Sequence, residues 1–351
     1  MSKKICVLFL NVLCVALVLG GCNSQKVAEQ VETNTETLSN VENQEEVPEI
    51  EYDTGIEKVG VEDVGTGTQE MVIEYADTLL PEERESIVVG KLSPEHIYYQ
   101  EVTTFDPACA EYIEEISIFD QEIGDTFVVH VSLPPEYDGT KKYPMVVMTD
   151  GVWRLSDHPE LRPLMVSGEI DDVILVSVGY PNDYDYQKIR ERDLVKDPES
   201  YLHFLVDNLV PYLSEIYSVD PENMTLTGHS YGGYWGFYAL FHSDTIGKNT
   251  FCNYYIGSPS FQARTGSDEI EDFEEAYFSR QQSLPCNVYV TVGDQESVGF
   301  IMQIENFINH LQERGYEGLN LSYEVIEGHG HDTVFKPSIK NTMYMFYGNN
   351  Q

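Results

Sequence analysis

The sequence predicts an α/β fold, in which a mostly parallel central sheet carries helices on both faces. Continuous apolar runs of strand length, such as residues 145–150 and 173–178, are typical of parallel strands buried on both sides. They alternate with longer segments of helical spacing, of which residues 201–217 and 301–314 are the clearest. Alternation of this kind indicates a sheet sandwiched between two helical layers.

Length and charge limit the possible partners. The chain has 351 residues, 42% of them hydrophobic, which is enough for one large core, and no internal repeat or second domain is visible. Its formal net charge is −40. A surface this negative repels nucleic acid and anionic lipid head groups, so we expect neither as a direct partner.

The first 21 residues are typical of an export signal. Lys3 and Lys4 precede an apolar stretch, residues 5–19, that is short for a membrane span. The stretch ends in Leu-Gly-Gly-Cys, which resembles a bacterial lipobox. We therefore expect cleavage before Cys22, a diacylglycerol anchor on Cys22, and a mature protein that is held outside the cytoplasm at the cell membrane. An uncleaved anchor helix and an ordinary signal peptide are the alternatives.

Residues 22–90 are interpreted as an acidic disordered tether that precedes a folded domain, residues 91–351. The segment is rich in Glu, Gln, Asn and Thr, and such a composition buries too little apolar surface to offset its ordering entropy. In the folded domain, further strands are predicted at residues 97–102, 126–133, 254–256, 288–292 and 321–326, and a last helix after Pro337.

The cysteines indicate neither a disulfide framework nor a metal site. Once the signal and the lipidated residue are set aside, Cys109, Cys252 and Cys286 remain. Three widely spaced cysteines allow one bridge at most, and buried free thiols are the favoured interpretation. The sequence has no Cys-x-x-Cys motif and no cluster of His and Cys, so no metal is expected.

The strongest functional motif is Gly-His-Ser-Tyr-Gly at residues 228–232. An alternating apolar run from Met224 leads into it, and a helical pattern from Tyr231 to His242 follows it at once. This pattern is typical of the nucleophile elbow of α/β-hydrolases, and the predicted strand before it and helix after it disfavour a chance match. The turn is so tight that the residues two before and two after the serine must be very small. Ser230 is therefore the predicted nucleophile, and the Tyr231 amide is predicted to donate to an oxyanion.

A base is expected in the loop at residues 327–332. A serine hydroxyl needs a base to become nucleophilic, and in this fold the chain order is serine, acid, histidine. The loop follows the last predicted strand and contains two histidines. We predict His331 as the base, with His329 as the second candidate. His242 and His310 fall on predicted helices and are expected to be structural.

The acid is expected after the strand at residues 288–292. Its task is to hold the imidazole tautomer and to stabilise the imidazolium. Glu296 stands three residues past the final glycine of that strand and Asp294 one residue past it. We favour Glu296 and keep Asp294 as the alternative. Asp332 adjoins His331 in sequence, a poor geometry for a partner, and is expected to be a turn residue.

A second oxyanion donor is expected in the loop that follows an early strand. Gly151 permits a turn there, and the amide of Val152 or Trp153 is expected to donate; an ordinary Asp-Gly turn is the alternative. Trp235 and Tyr238 fall on the elbow helix and are predicted to lie in the core rather than in the site.

Arg190 and Arg192 are scarce positive charges in an acidic chain. Two roles remain open for them. They could bind a carboxylate or phenolate of the substrate, or they could pair with nearby Asp and Glu residues. We favour the pairing.

Several segments together carry a family resemblance. They are Met-Thr-Asp-Gly at residues 148–151, Arg-Glu-Arg-Asp-Leu at 190–194, Val-Asp-Pro at 219–221, the elbow at 228–233, Gly-Ser-Pro-Ser at 257–260, Gly-Asp-Gln-Glu at 293–296 and Gly-His-Gly-His at 328–331. From about residue 95 to 348 the chain resembles the putative-esterase family of α/β-hydrolases. That family includes siderophore esterases such as enterobactin esterases, feruloyl esterases, S-formylglutathione hydrolase and mycolyltransferases.

The chain looks most similar to the siderophore-esterase branch, because of the Arg-x-Arg-Asp-Leu and Ser-Pro-Ser segments. In that branch the acid position after the glycine carries Glu or Asp, which supports Glu296. The elbow also resembles that of prolyl oligopeptidases, whose large propeller domain does not fit in a chain of this length.

Taken together, the sequence predicts an extracytoplasmic serine esterase that hydrolyses small carboxylic esters through an acyl-enzyme and needs no cofactor. An acyltransferase of the same fold, a serine peptidase and a non-catalytic surface-binding lipoprotein are the alternatives. The oligomeric state does not follow from the sequence.

Overall fold

The structure, a computed structural model, describes residues 71–73, 87–91, 111–181 and 185–349. The expected signal, the lipidated Cys22, Cys109 and the strand predicted at residues 97–102 lie outside these ranges. Within the described part of the chain, no helix combines the length and apolarity needed to cross a membrane.

One sheet organises the described residues, with strand order β1-β2-β3-β4-β6-β5-β7-β8-β9-β10. The strands are β1 (Met71–Ile73), β2 (Ile87–Lys91), β3 (Ile113–Asp120), β4 (Asp125–Ser132), β5 (Tyr143–Met148), β6 (Ile174–Gly179), β7 (Val219–His229), β8 (Asn253–Gly257), β9 (Asn287–Gly293) and β10 (Asn320–Ile326). Strands β5 to β10 pair in parallel, whereas β1 to β4 pair antiparallel and β4 joins β6 antiparallel. The predicted mostly parallel sheet is confirmed.

Helices cover both faces of the sheet, as predicted. They are α1 (Gly151–Arg154), α2 (Asp157–Val166), α3 (Tyr186–Glu191), α4 (Pro198–His203), α5 (Val210–Ile216), α6 (Tyr231–Phe241), α7 (Ile270–Arg280), α8 (Val298–Arg314) and α9 (Phe335–Tyr347). Strand β5 shows why its sequence is continuously apolar. Met145 and Val147 face the core beneath α4 to α8, while Val146 and Met148 face the core beneath α2 and α9.

The helix predicted at residues 201–217 is longer and less regular than its apolar spacing indicated. Helices α4 and α5 are joined by a π-helical turn, Phe204–Leu209, and a second π-helical turn, Arg192–Lys196, follows α3. The widened turn at 204–209 lies just before Pro211, which has no amide hydrogen to donate to the preceding turn.

The tether assignment needs a correction at two places. Strand β1 lies inside residues 22–90 and β2 crosses the expected boundary to end at Lys91; because β2 pairs antiparallel with β3, the sheet begins before residue 91. Both strands contain short runs of β-branched residues, which favour a strand. The tether was assigned from the composition of a much longer acidic segment, and such an average hides strands of three to five residues.

His158 forms a buried polar link between α2 and the sheet. Its side chain has no solvent exposure, and its Nδ1 and Nε2 atoms lie 2.6 Å from Ser132 Oγ and 3.1 Å from Ser177 Oγ. Burial, with a smaller effect of nearby His130, lowers the pKa of His158 to about 3. The folded protein therefore keeps this imidazole neutral.

We expect His158 to make the protein acid-sensitive. An unfolded histidine takes up a proton near pH 6.5, so the stabilisation by neutral His158 is complete above that pH and is lost as the pH falls toward 3. Between pH 7 and 4.5, wild type should lose about 2.5 kcal/mol more unfolding free energy than His158→Gln, which keeps a donor and an acceptor but does not titrate. Urea unfolding at both pH values measures this difference, and equal losses in the two proteins would contradict it.

Candidate active site

Ser230 lies in a strained turn between β7 and α6. Its backbone has φ 61° and ψ −115°, a conformation that L-residues rarely adopt. A Cβ at Gly228 would lie 2.1 Å from the Gly232 carbonyl oxygen, and one at Gly232 would lie 2.5 Å from Thr149 Oγ1. Any larger residue at either position would collide with neighbouring atoms, which is the physical reason for the small-residue pattern of this motif.

Three side chains form a hydrogen-bonded chain at the carboxyl edge of the sheet. Ser230 Oγ lies 2.9 Å from His331 Nε2, and His331 Nδ1 lies 2.8 Å from Glu296 Oε2. They come from the segments that follow β7, β10 and β9, whose carboxyl ends meet at one edge because these strands are parallel. The His331 side chain is 36% exposed and that of Glu296 is 3% exposed, so the imidazole faces solvent and the carboxylate lies behind it.

The surroundings of Glu296 keep it ionised. Its Oε1 atom accepts hydrogen bonds from Ser258 Oγ at 2.5 Å and from the Gly293 amide at 3.1 Å. Burial opposes ionisation, but the hydrogen bonds from His331, Ser258 and Gly293 outweigh it and lower the pKa of Glu296. An ionised carboxylate accepts the Nδ1 proton of the imidazole and leaves Nε2 free to act as a base.

The alternative acid and base make other contacts. Asp294 Oδ1 accepts a hydrogen bond from the Gly328 amide at 2.8 Å and so ties the loop after β10 to the end of β9. His329 Nδ1 lies 3.3 Å from Thr333 Oγ1 within its own loop. The structure therefore brings Glu296 and His331 to the serine, and it places Asp294 and His329 in loop-stabilising contacts.

The histidines expected to be structural lie away from Ser230. His242 bonds through Nδ1 to the Tyr238 carbonyl one turn earlier, at 2.8 Å, and His310 Nε2 lies 2.8 Å from buried Glu274. The elbow-helix residues assigned to the core, Trp235 and Tyr238, are both buried.

The backbone amides of the two predicted oxyanion segments differ in whether the fold already uses them. The Tyr231 amide, at the start of α6, and the Val152 amide, in α1, have no hydrogen-bond partner among the described residues. The Trp153 amide donates to the Asp150 carbonyl at 2.9 Å, which argues against Trp153 as the oxyanion donor and favours Val152 of the predicted pair. Trp153 is the third residue of α1, and its amide closes the first turn of that helix by donating to the residue that precedes the helix. The Gly151 amide is also without a partner in the described part of the chain.

Both arginines are paired, and only one reaches the cleft. Arg192 bonds to Asp193 at 2.6 Å and to Asp125 at 2.7 Å. Arg190 bonds through Nε and Nη2 to the two oxygens of Asp150, at 2.5 and 3.2 Å. Arg190 also lines the cavity next to Ser230, whereas Arg192 does not.

A cleft of about 470 Å³ opens beside the serine. Its lining combines aromatic rings with charged groups of both signs: Asp150, Trp153, Arg154, Tyr186, Gln187, Arg190, His229, Ser230, His331, Asp332 and Phe335. This volume and lining suit a small, partly apolar molecule. Among the described residues, no group of three or more His, Cys, Asp or Glu side chains is arranged to hold a metal ion.

Sequence reasoning gave no individual role to two serines beside the nucleophile. Ser260 Oγ lies 3.2 Å from Ser230 Oγ, and the Ser258 hydroxyl bonds to Glu296. A signal was available, since the Ser-Pro-Ser segment directly follows β8, whose carboxyl end lies between those of β7 and β9.

The His229 ring packs beside the His331 ring, with centroids 4.8 Å apart. Burial, together with the nearby charges of His331, Arg154 and Arg190, holds the pKa of His229 well below its usual range. A neutral ring at this place adds no positive charge that would oppose protonation of His331.

Comparison with known proteins agrees with this architecture. The model of the family described as "Putative esterase" matches residues 121–340. The BES protein from Bacillus cereus is 22% identical, with a TM-score of 0.58 over 66% of this chain and 93% of that one. The siderophore hydrolase EstA from Aspergillus nidulans is 18% identical, with a TM-score of 0.57 over 69% and 96%. The enterobactin and salmochelin hydrolase IroE is 18% identical, with a TM-score of 0.54 over 67% and 94%.

Proposed function

The chain belongs to the putative esterase family of α/β-hydrolases and is an esterase, and from this premise we propose that it cleaves carboxylic esters by serine catalysis. One observation carries the proposal. Ser230 Oγ, His331 and Glu296 form one continuous hydrogen-bonded chain at the mouth of the cleft. A nucleophile, a base and an oriented carboxylate in this order make up the machinery of acyl transfer.

In the acylation step, Ser230 Oγ attacks the ester carbonyl carbon while its proton passes to His331 Nε2. Glu296 stabilises the imidazolium through its bond to Nδ1. The carbonyl π electrons move to oxygen, and the resulting oxyanion accepts hydrogen bonds from the Tyr231 amide and from Val152 or its neighbour Gly151. Collapse of the tetrahedral intermediate breaks the ester bond, and the leaving alkoxide takes the proton from His331.

In the deacylation step, water replaces the alcohol. His331 Nε2 removes a proton from the water as its oxygen attacks the acyl carbon, and the same amides hold the second oxyanion. When this intermediate collapses, the bond to Ser230 Oγ breaks, the serine regains its proton from His331, and a carboxylic acid leaves.

The substrate is proposed to be a small-molecule ester. The cleft volume and its mixture of rings and paired charges support a compact, partly aromatic ligand. The names of two structural neighbours describe a siderophore hydrolase and a hydrolase of enterobactin and salmochelin. At 18% identity these neighbours support the fold, and the substrate proposal depends on the cleft.

We also propose an extracytoplasmic location. The proposal depends on the positive, apolar and cysteine-terminated pattern of residues 1–22, which is typical of a lipidated precursor. The acyl chains on Cys22 would be the membrane contact of the mature protein.

An ester panel tests the proposed function. It runs from p-nitrophenyl acetate to the octanoate and includes methyl ferulate and a catecholate siderophore, with Ser230→Ala as the blank. We expect wild type to turn over at least one ester and a fluorophosphonate to label the peptide that contains Ser230. Transfer of the acyl group to an added alcohol at the expense of hydrolysis would favour the acyltransferase. A wild type that is inert and unlabelled would exclude serine catalysis and favour a binding protein.

A further inference from the structure

A buried ion pair joins the loop after β5 to α3. Arg190 donates two side-by-side hydrogen bonds to the carboxylate of Asp150, from Nε at 2.5 Å and from Nη2 at 3.2 Å. The side chains are only 9% and 5% exposed. Two parallel bonds hold both the distance and the orientation of a carboxylate, which a single contact does not.

The same guanidinium also contacts the nucleophile elbow. Its Nη2 atom donates to the His229 carbonyl at 3.3 Å, directly before Ser230. The central guanidinium carbon of Arg190, Cζ, lies 4.9 Å from the ring centroid of Tyr231 and 5.2 Å from that of Trp153. One side chain therefore contacts both segments that carry the unpaired amides.

The loop after β5 needs such a support. Asp150 has φ 60° and ψ 45°, a left-handed conformation that costs energy for a residue other than glycine. The helix that follows, α1, has only four residues and does little to hold the loop by itself. A Cβ at Gly232 would lie 3.0 Å from Asp150 Oδ2, so the first turn of α6 closely abuts this carboxylate.

We propose that Arg190 is a positioning residue for oxyanion stabilisation. Through Asp150 it sets where the Val152 amide lies, and through the elbow it sets where the Tyr231 amide lies, so that both amides point at one oxygen. The inference rests on the proposed esterase function. Because Asp150 already neutralises the guanidinium, Arg190 acts on the transition state and not as the main charge that binds the substrate.

The chain supplies a matched control at the other end of α6. Arg280 donates to the two oxygens of Asp244 at 3.0 and 2.8 Å and to the Phe241 carbonyl at 3.0 Å. It thus makes the same set of bonds as Arg190, about 16 Å of helix away from Ser230. If removing a bidentate arginine lowered activity only by destabilising the fold, both variants would lose activity; because the Arg280 side chain is 37% exposed and that of Arg190 only 9%, the two variants are compared at equal fractions of folded protein, judged by thermal unfolding.

The test compares Arg190→Ala, Arg190→Lys and Arg280→Ala on the preferred ester. For Arg190→Ala we expect kcat to fall about 100-fold with KM within about twofold, because misplacing an oxyanion donor acts on the transition state. The inhibition constant of a trifluoromethyl ketone, whose adduct with Ser230 carries an oxyanion, should rise by the same factor.

Arg190→Lys should remain impaired, since an ammonium cannot make two parallel bonds. Added guanidinium ion should restore part of the activity of Arg190→Ala, and Arg280→Ala should keep kcat within about twofold.

Three results would overturn the proposal. A higher KM for anionic esters at unchanged kcat would make Arg190 a substrate-binding residue. Equal losses in Arg190→Ala and Arg280→Ala would make its role one of general stability. If Arg190→Ala bound the trifluoromethyl ketone as tightly as wild type does, Arg190 would have no role in stabilising the oxyanion. If wild type hydrolyses no ester, the esterase proposal fails on its own, and the rate at which a fluorophosphonate modifies Ser230 then tests Arg190, since that reaction needs the same amides.

Discussion

Ser230→Ala and His331→Ala are each expected to lower kcat by about 10⁶-fold, and the double variant by no more than either single change. The physical reason is that the two groups act as one unit. Without the 2.9 Å bond from Ser230 Oγ to His331 Nε2, the hydroxyl has no base to take its proton. Steady-state kinetics on the preferred ester, with active sites counted by titration, measures the three values.

His329→Ala is the matched control for the histidine. It lies two residues earlier in the same loop, and its bond to Thr333 Oγ1 contributes to loop structure. We expect its kcat to stay within about threefold of wild type. If His329→Ala lost activity while His331→Ala kept it, the base would be His329 and the assignment of His331 would be wrong. If kcat of the double variant fell by the product of the two single losses, Ser230 and His331 would act independently.

Glu296→Gln is expected to lower kcat by about 10⁴-fold with little change in folding. Glutamine has nearly the same shape and can still accept from the Gly293 amide. It carries no charge to stabilise the imidazolium, and its amide can hold the imidazole in the tautomer that has its proton on Nε2. That tautomer cannot accept the proton of Ser230.

Asp294→Asn provides the comparison for the acid. Asparagine keeps an oxygen that can accept from the Gly328 amide, so we expect kcat within about threefold of wild type. The two variants, measured side by side with thermal unfolding as a check on folding, decide between the two acids. A large loss in Asp294→Asn together with an active Glu296→Gln would reverse the assignment.

Much of the architecture could be predicted because its causes are local. The apolar runs that form β5, β6 and β9 reflect burial of each strand on both faces, and this shows in six or seven residues of sequence. The nucleophile elbow could also be predicted from local sequence. The crowding that requires glycine at Gly228 and Gly232 arises within one turn and its immediate neighbours. The resemblance to the putative esterase family, which depends on the order of such local motifs, is confirmed.

Other features could not be predicted, since short strands and loops leave weak signals. Strand β3 was missed because Glu115 interrupts its apolar alternation; in the fold this carboxylate lies 2.9 Å from His130 Nε2 on β4 and is buried with it. Strands β1 and β2 were missed in an acidic segment for a related reason: β1 pairs with β2, and β2 pairs with β3, about 25 positions further along the chain, so no local pattern marks them.

The sequence by itself determined the sheet, the elbow and the small set of residues from which a site could be built. Only the tertiary structure decided which of them meet. In the fold, Glu296 and not Asp294 is hydrogen-bonded to His331. The Trp153 amide is hydrogen-bonded to Asp150 at the start of α1. Arg190 pairs with Asp150, 40 positions away in the chain. These choices depend on how loops from different strands pack at one edge of the sheet. Such packing is a property of distances between remote residues, and no local pattern encodes it.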